Sequence, residues 1–230
     1  MATDSSQFWD NFELELLNEQ VVLFRGYLEM MEGFLETEVG NIREQATRLR
    51  RLRLEKMRQK GGQFDPTEDA PPDEAWLNSQ EQMIASVFAS KLRESFLISL
   101  WAFLEARLVE ECRYRERWGT TKLPVAEVIQ ASSIIEKAKE CLAGQIDFGG
   151  RELKHIKNLS LFRNFIVHAG GRFENMKHKD KKRDLENYVS LERKRERTLS
   201  LSGEGIVIHK GFCEKALDRV EAVFELLEKK

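Results

Sequence analysis

Residues 86–112 read SVFASKLRESFLISLWAFLEARLVEEC, and the centre of this run is apolar on most sides of a helix rather than along one stripe. A helix of that kind has no polar face to show to water, so it belongs in the middle of a packed domain. Working outward, Pro71, Pro72 and Asp73 supply entry signals, so a helix from about residue 73 to 117 is expected to form the buried spine of an all-α bundle. Trp101 within it and Trp118 just beyond it read as core residues. The preceding stretch GGQFDPTEDAPPDE, 61–74, reads as a hinge or loop.

Upstream of the hinge, Leu14, Leu17, Val21, Phe24, Leu28, Met31 and Leu35 alternate steps of three and four, the seam of a coiled coil or of a long antiparallel hairpin. A further step of four to Val39 is a local stutter, and the pattern resumes at Ile42, Ala46 and Leu49. One long helix, or two nearly collinear ones, is expected over about 5–59. Its early charges are acidic and its last part, RLRRLRLEKMRQK, is strongly basic. That basic end is either a solvated helix terminus or a surface for an anion or a partner.

Downstream, Pro124 opens a shorter helix through about Leu142. Arg151 to His168 forms another, with Leu153, Ile156, Leu159, Phe162, Phe165 and Ile166 on its apolar side. A highly charged stretch follows, containing Lys177, Lys179, Lys181, Lys182 and Arg183 interleaved with acids; a solvated loop or helix is the default reading, and contact with an RNA backbone the alternative. Leu199, Leu201, Ile206 and Ile208 alternate around Ser202-Gly203-Glu204-Gly205, a short β-hairpin signal. The chain finishes with a helix whose Phe212, Ala216, Val220, Val223 and Leu227 share a face. The expected division is a helical arm with its linker, 1–72, and a helical domain, 73–230.

Composition narrows the function. Of 230 residues, 41% are hydrophobic and 33% charged, which suits a helix-rich globular protein. The start, MATDSSQFWD, lacks the basic and apolar segments of a secretory leader. Apolar stretches are punctuated by charge, so no membrane span is expected, and a cytoplasmic location is. Cys112, Cys141 and Cys213 are odd in number and far apart, which fits reduced structural thiols rather than a disulfide framework or a zinc knuckle. There is no GxxxxGK[ST], HExxH, GxSxG or CxxC, so neither a metal nor another cofactor is expected.

One segment does carry chemistry. Residues 161–172, LFRNFIVHAGGR, hold Arg163, Asn164 and His168 in an apolar helical run expected to end near His168, at Gly170-Gly171. An Arg and a His at this spacing mean little alone, and Arg172 with His178 makes a second such pair among Lys and Asp. Context separates the two, because charge in an apolar run is costly without a partner or a ligand. In a regular helix Arg163 and His168 would point about 140° apart, while Asn164 and His168 share a face. Two routes bring all three to one phosphate-sized site: the helix ends near His168, or a second copy supplies its own motif across a twofold axis. The residue types suit RNA cleavage. Histidine can take a 2′-hydroxyl proton near neutral pH, and a guanidinium grips a phosphate with two parallel hydrogen bonds. The competing structural readings are a His168 favoured by the helix macrodipole, and an Arg163 ion-paired, for instance, with Glu105.

KLRESFLISLWAFLEARLVEEC followed by LFRNFIVHAGG resembles the HEPN superfamily of helical-bundle ribonucleases, over roughly residues 80–230. The family's signature is an Arg, four to six residues, then a His, often with a polar residue directly after the Arg; here these are Arg163, Asn164 and His168. The resemblance implies an up-and-down bundle, a homodimer with two motifs face to face, and metal-independent RNA cleavage in toxin–antitoxin or antiviral defence systems. RNA and an antitoxin or other defence protein are the partners it implies. Glu105, inside LWAFLEARL, is read from the residues alone, as a structural partner or as a support behind the motif. The alternative is a non-catalytic helical dimer that scaffolds a defence complex or binds nucleic acid.

Overall fold

The structure, a computed structural model, describes residues 3–59, 72–131, 133–142, 150–203 and 205–228, with side chains at 19–59, 75–131, 133–142, 154–203 and 205–227. The expected hinge between 61 and 71 and the Gly-rich 143–149 lie outside them, as do the side chains of Leu14, Leu17 and Leu153. The element order is α1 Thr3–Gln59, α2 Pro72–Gln82, a π-helical turn Met83–Phe88, α3 Ala89–Arg117, α4 Val125–Ile129, α5 Ile134–Cys141, α6 Gly150–Ala169, α7 Lys179–Arg195, β1 Leu199–Ser202, β2 Gly205–Ile208 and α8 Lys210–Glu228. The all-α class with a C-terminal hairpin is as the sequence leads one to expect. Among the described residues, no helix is long and apolar enough to cross a membrane.

The chain divides into two compact units, Met1–Leu28 with Arg93–Lys230, and Glu29–Leu92. The first contains the bundle. Phe96, Leu100, Leu104 and Leu108 of α3 are buried as the all-round apolar pattern requires. Phe24 of α1 stacks on Phe103 at 5.1 Å and meets Phe96 edge-on at 6.0 Å, and Phe103 meets Phe224 of α8 edge-on at 5.1 Å. Arg25 pairs with Asp218 at 3.0 Å and with Glu221 of α8. The second unit holds the rest of α1 with α2 and the π turn. The α1 seam buries Met31, Leu35 and Ala46 here, and Arg43 donates from Nε to Glu81 Oε1 at 2.7 Å.

Three details depart from the sequence reading. The helix expected from Pro124 to Leu142 is two helices, because Ser133 starts a new one: its hydroxyl accepts from the backbone N–H of Glu136 at 3.4 Å. Ser133-Ile134-Ile135-Glu136 is a capping-box sequence. Trp118 is not core; it lies past the end of α3, where Gly119 turns the chain at φ 68°, and it is 61% exposed. The charged stretch after residue 172 hides an amphipathic helix: Leu185, Tyr188, Val189 and Glu192 of α7 are buried at the i, i+3, i+4, i+7 spacing of one helical face. The hairpin forms in the expected register, Leu199 opposite Ile208 and Leu201 opposite Ile206. All three cysteines are buried and unbridged.

Candidate active site at the end of α6

The helix bearing the motif stops where the sequence suggested. Gly170 and Gly171 adopt φ 60° and 74°, a left-handed region that glycine enters without a Cβ penalty. The backbone N–H of Arg172 donates to the Ala169 carbonyl at 3.1 Å, closing a tight turn, and the N–H of Gly171 donates to the Phe165 carbonyl at 3.1 Å. Asn175 Nδ2 donates to the same Ala169 carbonyl at 3.1 Å, so carbonyls that a helix end leaves orphaned acquire partners. The hairpin grips this turn from outside. Arg172 forms a β-bridge with Gly205, and a Cβ at Gly205 would sit 3.0 Å from the Gly171 carbonyl oxygen. Below the turn, Phe165 packs on Phe173 at 5.0 Å.

On this fixed helix end the three motif residues meet. Arg163 Nη1 donates to Asn164 Oδ1 at 3.0 Å and lies 3.1 Å from His168 Nε2. The 140° expected between the first and last of these is spanned by the long arginine side chain reaching toward the terminus, so a single chain assembles the trio. A guanidinium has donors only. As a hydrogen bond, this contact has Nε2 as its acceptor. Arg163 is half-buried and adjoins a small gap lined by Leu97, Trp101, Leu159, Phe162 and Val220, while His168 is exposed in the last turn. The cation is thus rooted in apolar packing and the imidazole faces solvent.

Glu105 does not join this group. It is half-buried on α3, one turn beyond Trp101, and makes no ion pair with Arg163 among the described residues; the guanidinium is taken by partners on its own helix end. The alternative pair separates as its context suggested: Arg172 Nη1 donates to Glu174 at 3.0 Å, and His178 is exposed just before α7. Of the basic run, Lys177, Lys179, Lys181 and Arg183 are exposed. Lys182 is half-buried with its ammonium 5.8 Å from the Phe173 ring centre, which ties the start of α7 to the aromatic pair under the α6 turn.

Two supporting residues escaped the sequence reading. Asn175 acts on a carbonyl six residues back, a contact that exists only once the turn is made. Gly205 was visible as a hairpin glycine, but its approach to Gly171 is tertiary. Among the described residues no group of three or more His, Cys, Asp or Glu is placed to hold a metal ion. Compared with known proteins, the chain matches no family model, no curated protein and no solved structure.

Proposed function

We propose that the chain is a metal-independent endoribonuclease of the HEPN type, with Arg163, Asn164 and His168 as its catalytic group. The observation that carries this reading is the 3.1 Å contact between Arg163 and His168 Nε2 at a helix end open to solvent. A phosphodiester arriving there offers the guanidinium charged acceptors, and charge-assisted hydrogen bonds are roughly twice as strong as neutral ones. Arg163 then turns to the phosphate and frees the Nε2 lone pair. That nitrogen takes the proton of the neighbouring 2′-hydroxyl, the 2′-oxygen bonds to phosphorus, and the bond to the 5′-oxygen breaks. The products are a 2′,3′-cyclic phosphate and a 5′-hydroxyl end. Asn164 holds the arginine in place and offers its amide to a phosphate oxygen.

One imidazole supplies the base; the leaving 5′-oxygen also needs a proton. His168 of a second copy across a twofold axis provides it in this reading, so the working unit is a dimer joined near the motif. The exposed Lys177, Lys179, Lys181 and Arg183 would hold the RNA backbone, and toxicity or defence against phage is the biological role. The test is incubation of single-stranded RNA with the chain in excess EDTA. Expected are cyclic-phosphate ends and, by light scattering, a mass twice the 26.8 kDa of one chain; an inactive protein, or an active monomer, defeats the respective part.

A second reading, a non-catalytic helical scaffold, draws on exposed apolar side chains in the Glu29–Leu92 unit, among them Met30, Phe34, Trp76 and Val87. It predicts binding without cleavage in the same assay.

A further inference from the structure

Away from the motif, the first turns of α6, the second half of α7 and the face of α8 enclose a cleft of about 560 Å3. That lies inside the roughly 300–1,000 Å3 range of small-molecule sites. Positions facing other helices in a bundle are ordinarily apolar, yet here α6 contributes Lys154, His155 and Asn158, α7 contributes Glu192 and Arg195, and α8 contributes Lys215 and Arg219. Asn158 precedes His168 by ten residues, about 15 Å along the helix axis, so this is a different place on α6.

The floor of the cleft is built and internally neutralised. Glu192 is buried; its carboxylate accepts from the Thr198 hydroxyl at 3.1 Å and faces Arg219 at 3.6 Å and Lys215 at 3.9 Å. Lys215 also pairs with Glu196. Arg219 Nη1 donates to the Tyr188 hydroxyl at 3.0 Å, and burial pushes the Tyr188 phenol up, so it stays protonated. Asp218, the remaining acid of the lining, is taken by Arg25. At the mouth stand Lys154 and Arg195, exposed and, among the described residues, without an ion-pair partner. Leu191, exposed, and Ala222, half-buried, supply apolar surface to the same lining.

Two cations without an ion-pair partner among the described residues, in one lining with apolar, amide and imidazole groups, suit a ligand with a dianionic head, a flat or apolar body and polar edges. From this geometry we infer that the α6–α7–α8 cleft binds a small phosphomonoester the size of a nucleoside monophosphate. Lys154 and Arg195 hold the phosphate, Leu191 and Ala222 pack on the body, and Asn158 and His155 meet its polar edge. The site stands independently of the ribonuclease reading.

Calorimetric titration of the full chain with each of the four common ribonucleoside 5′-monophosphates tests this, with inorganic phosphate and a 3′-phosphorylated oligodeoxynucleotide as separate arms. At least one mononucleotide is expected to bind at one site per chain with Kd below about 1 mM. Phosphate alone and the oligonucleotide should bind at least about tenfold more weakly. Replacing both mouth cations (Lys154→Ala with Arg195→Ala, both exposed) should weaken binding about tenfold or more. Ala222→Trp should block the cleft without touching either charge, with a melting curve to verify that it folds. His168→Ala should leave Kd within about twofold. Absence of saturable binding at millimolar nucleotide, or unchanged affinity in the double variant, overturns the site. Phosphate binding as tightly as the nucleotides removes the organic body from the proposal, and a tighter oligonucleotide replaces a free nucleotide by a nucleic-acid end. Loss of binding in His168→Ala moves the nucleotide to the end of α6.

Discussion

Replacing His168 by alanine separates chemistry from folding on a scale the structure sets. In the free protein the side chain is exposed, and its one described polar contact is the 3.1 Å bond with Arg163. A bond of that kind contributes about 0.5–1.5 kcal/mol to stability, and alanine returns a few tenths through better helix propensity. The net cost is about 1 kcal/mol or less, a melting shift within about 4 °C for a chain of this size. Loss of a positioned general base removes roughly 10²–10⁴ in rate, about 3–5 kcal/mol of transition-state stabilisation. Thermal denaturation and cleavage of a labelled single-stranded RNA in EDTA, on the same preparation, should therefore differ by several kcal/mol. A variant that cleaves RNA at more than about a tenth of the wild-type rate refutes the role given to His168.

Arg172→Ala and His178→Ala should leave cleavage within about threefold of wild type, since one side chain is engaged by Glu174 and the other is exposed; a collapse equal to that of His168→Ala would mean the wrong motif was chosen. Ser133→Ala removes the cap of α5 and should cost about 0.5–1 kcal/mol, visible as a melting point lower by about 1–4 °C; an unchanged melting point would show that the 3.4 Å bond contributes nothing. Burial and the nearby Arg93 charge on α3 lower the His209 pKa from its usual value near 6.5, with Ser200 Oγ at 3.0 Å and Lys210 next in sequence. The unfolded chain therefore takes up the proton first. His209 contributes stability that is present above about pH 6.5 and is lost as pH falls through its lowered folded value. The melting point of wild type should fall more between pH 7.5 and 5.5 than that of His209→Gln, and equal slopes would contradict the shift.

Patterns that are local and strong were readable in the sequence. The three–four seam of α1, the all-round apolar α3, the alternation of the hairpin and the glycine stop of α6 each depend on neighbours within a turn or two. What could not be read depends on contrast or on distance. The stripe Leu185-Tyr188-Val189-Glu192 is diluted by so many charges that its period is hard to see, and one member is itself a carboxylate, neutralised by Arg219 and Lys215 of a helix not yet placed. Ser133-Ile-Ile-Glu136 is a legible cap, but the apolar pattern continues across it and masks the break. The meeting of Arg163 with His168 follows from side-chain length, which a Cα wheel of 100° steps does not represent. Trp118 shows the reverse error: a large aromatic beside a core helix is not core once the chain has turned away at Gly119.

The contact of Arg25 with Asp218 joins residues 193 apart in sequence. On a ribosome adding about 5–20 residues per second, Arg25 is made roughly 10–40 s before the carboxylate that pairs with it. During that interval Phe24 can find Phe96 and Phe103, which emerge sooner, while Arg25 and the α8 side of the bundle wait. A helix made before α8 thus waits for α8 to complete its native setting. A nascent chain stalled before residue 210 should display this surface to chaperones and proteases, and the released chain, with α8 in place, should not.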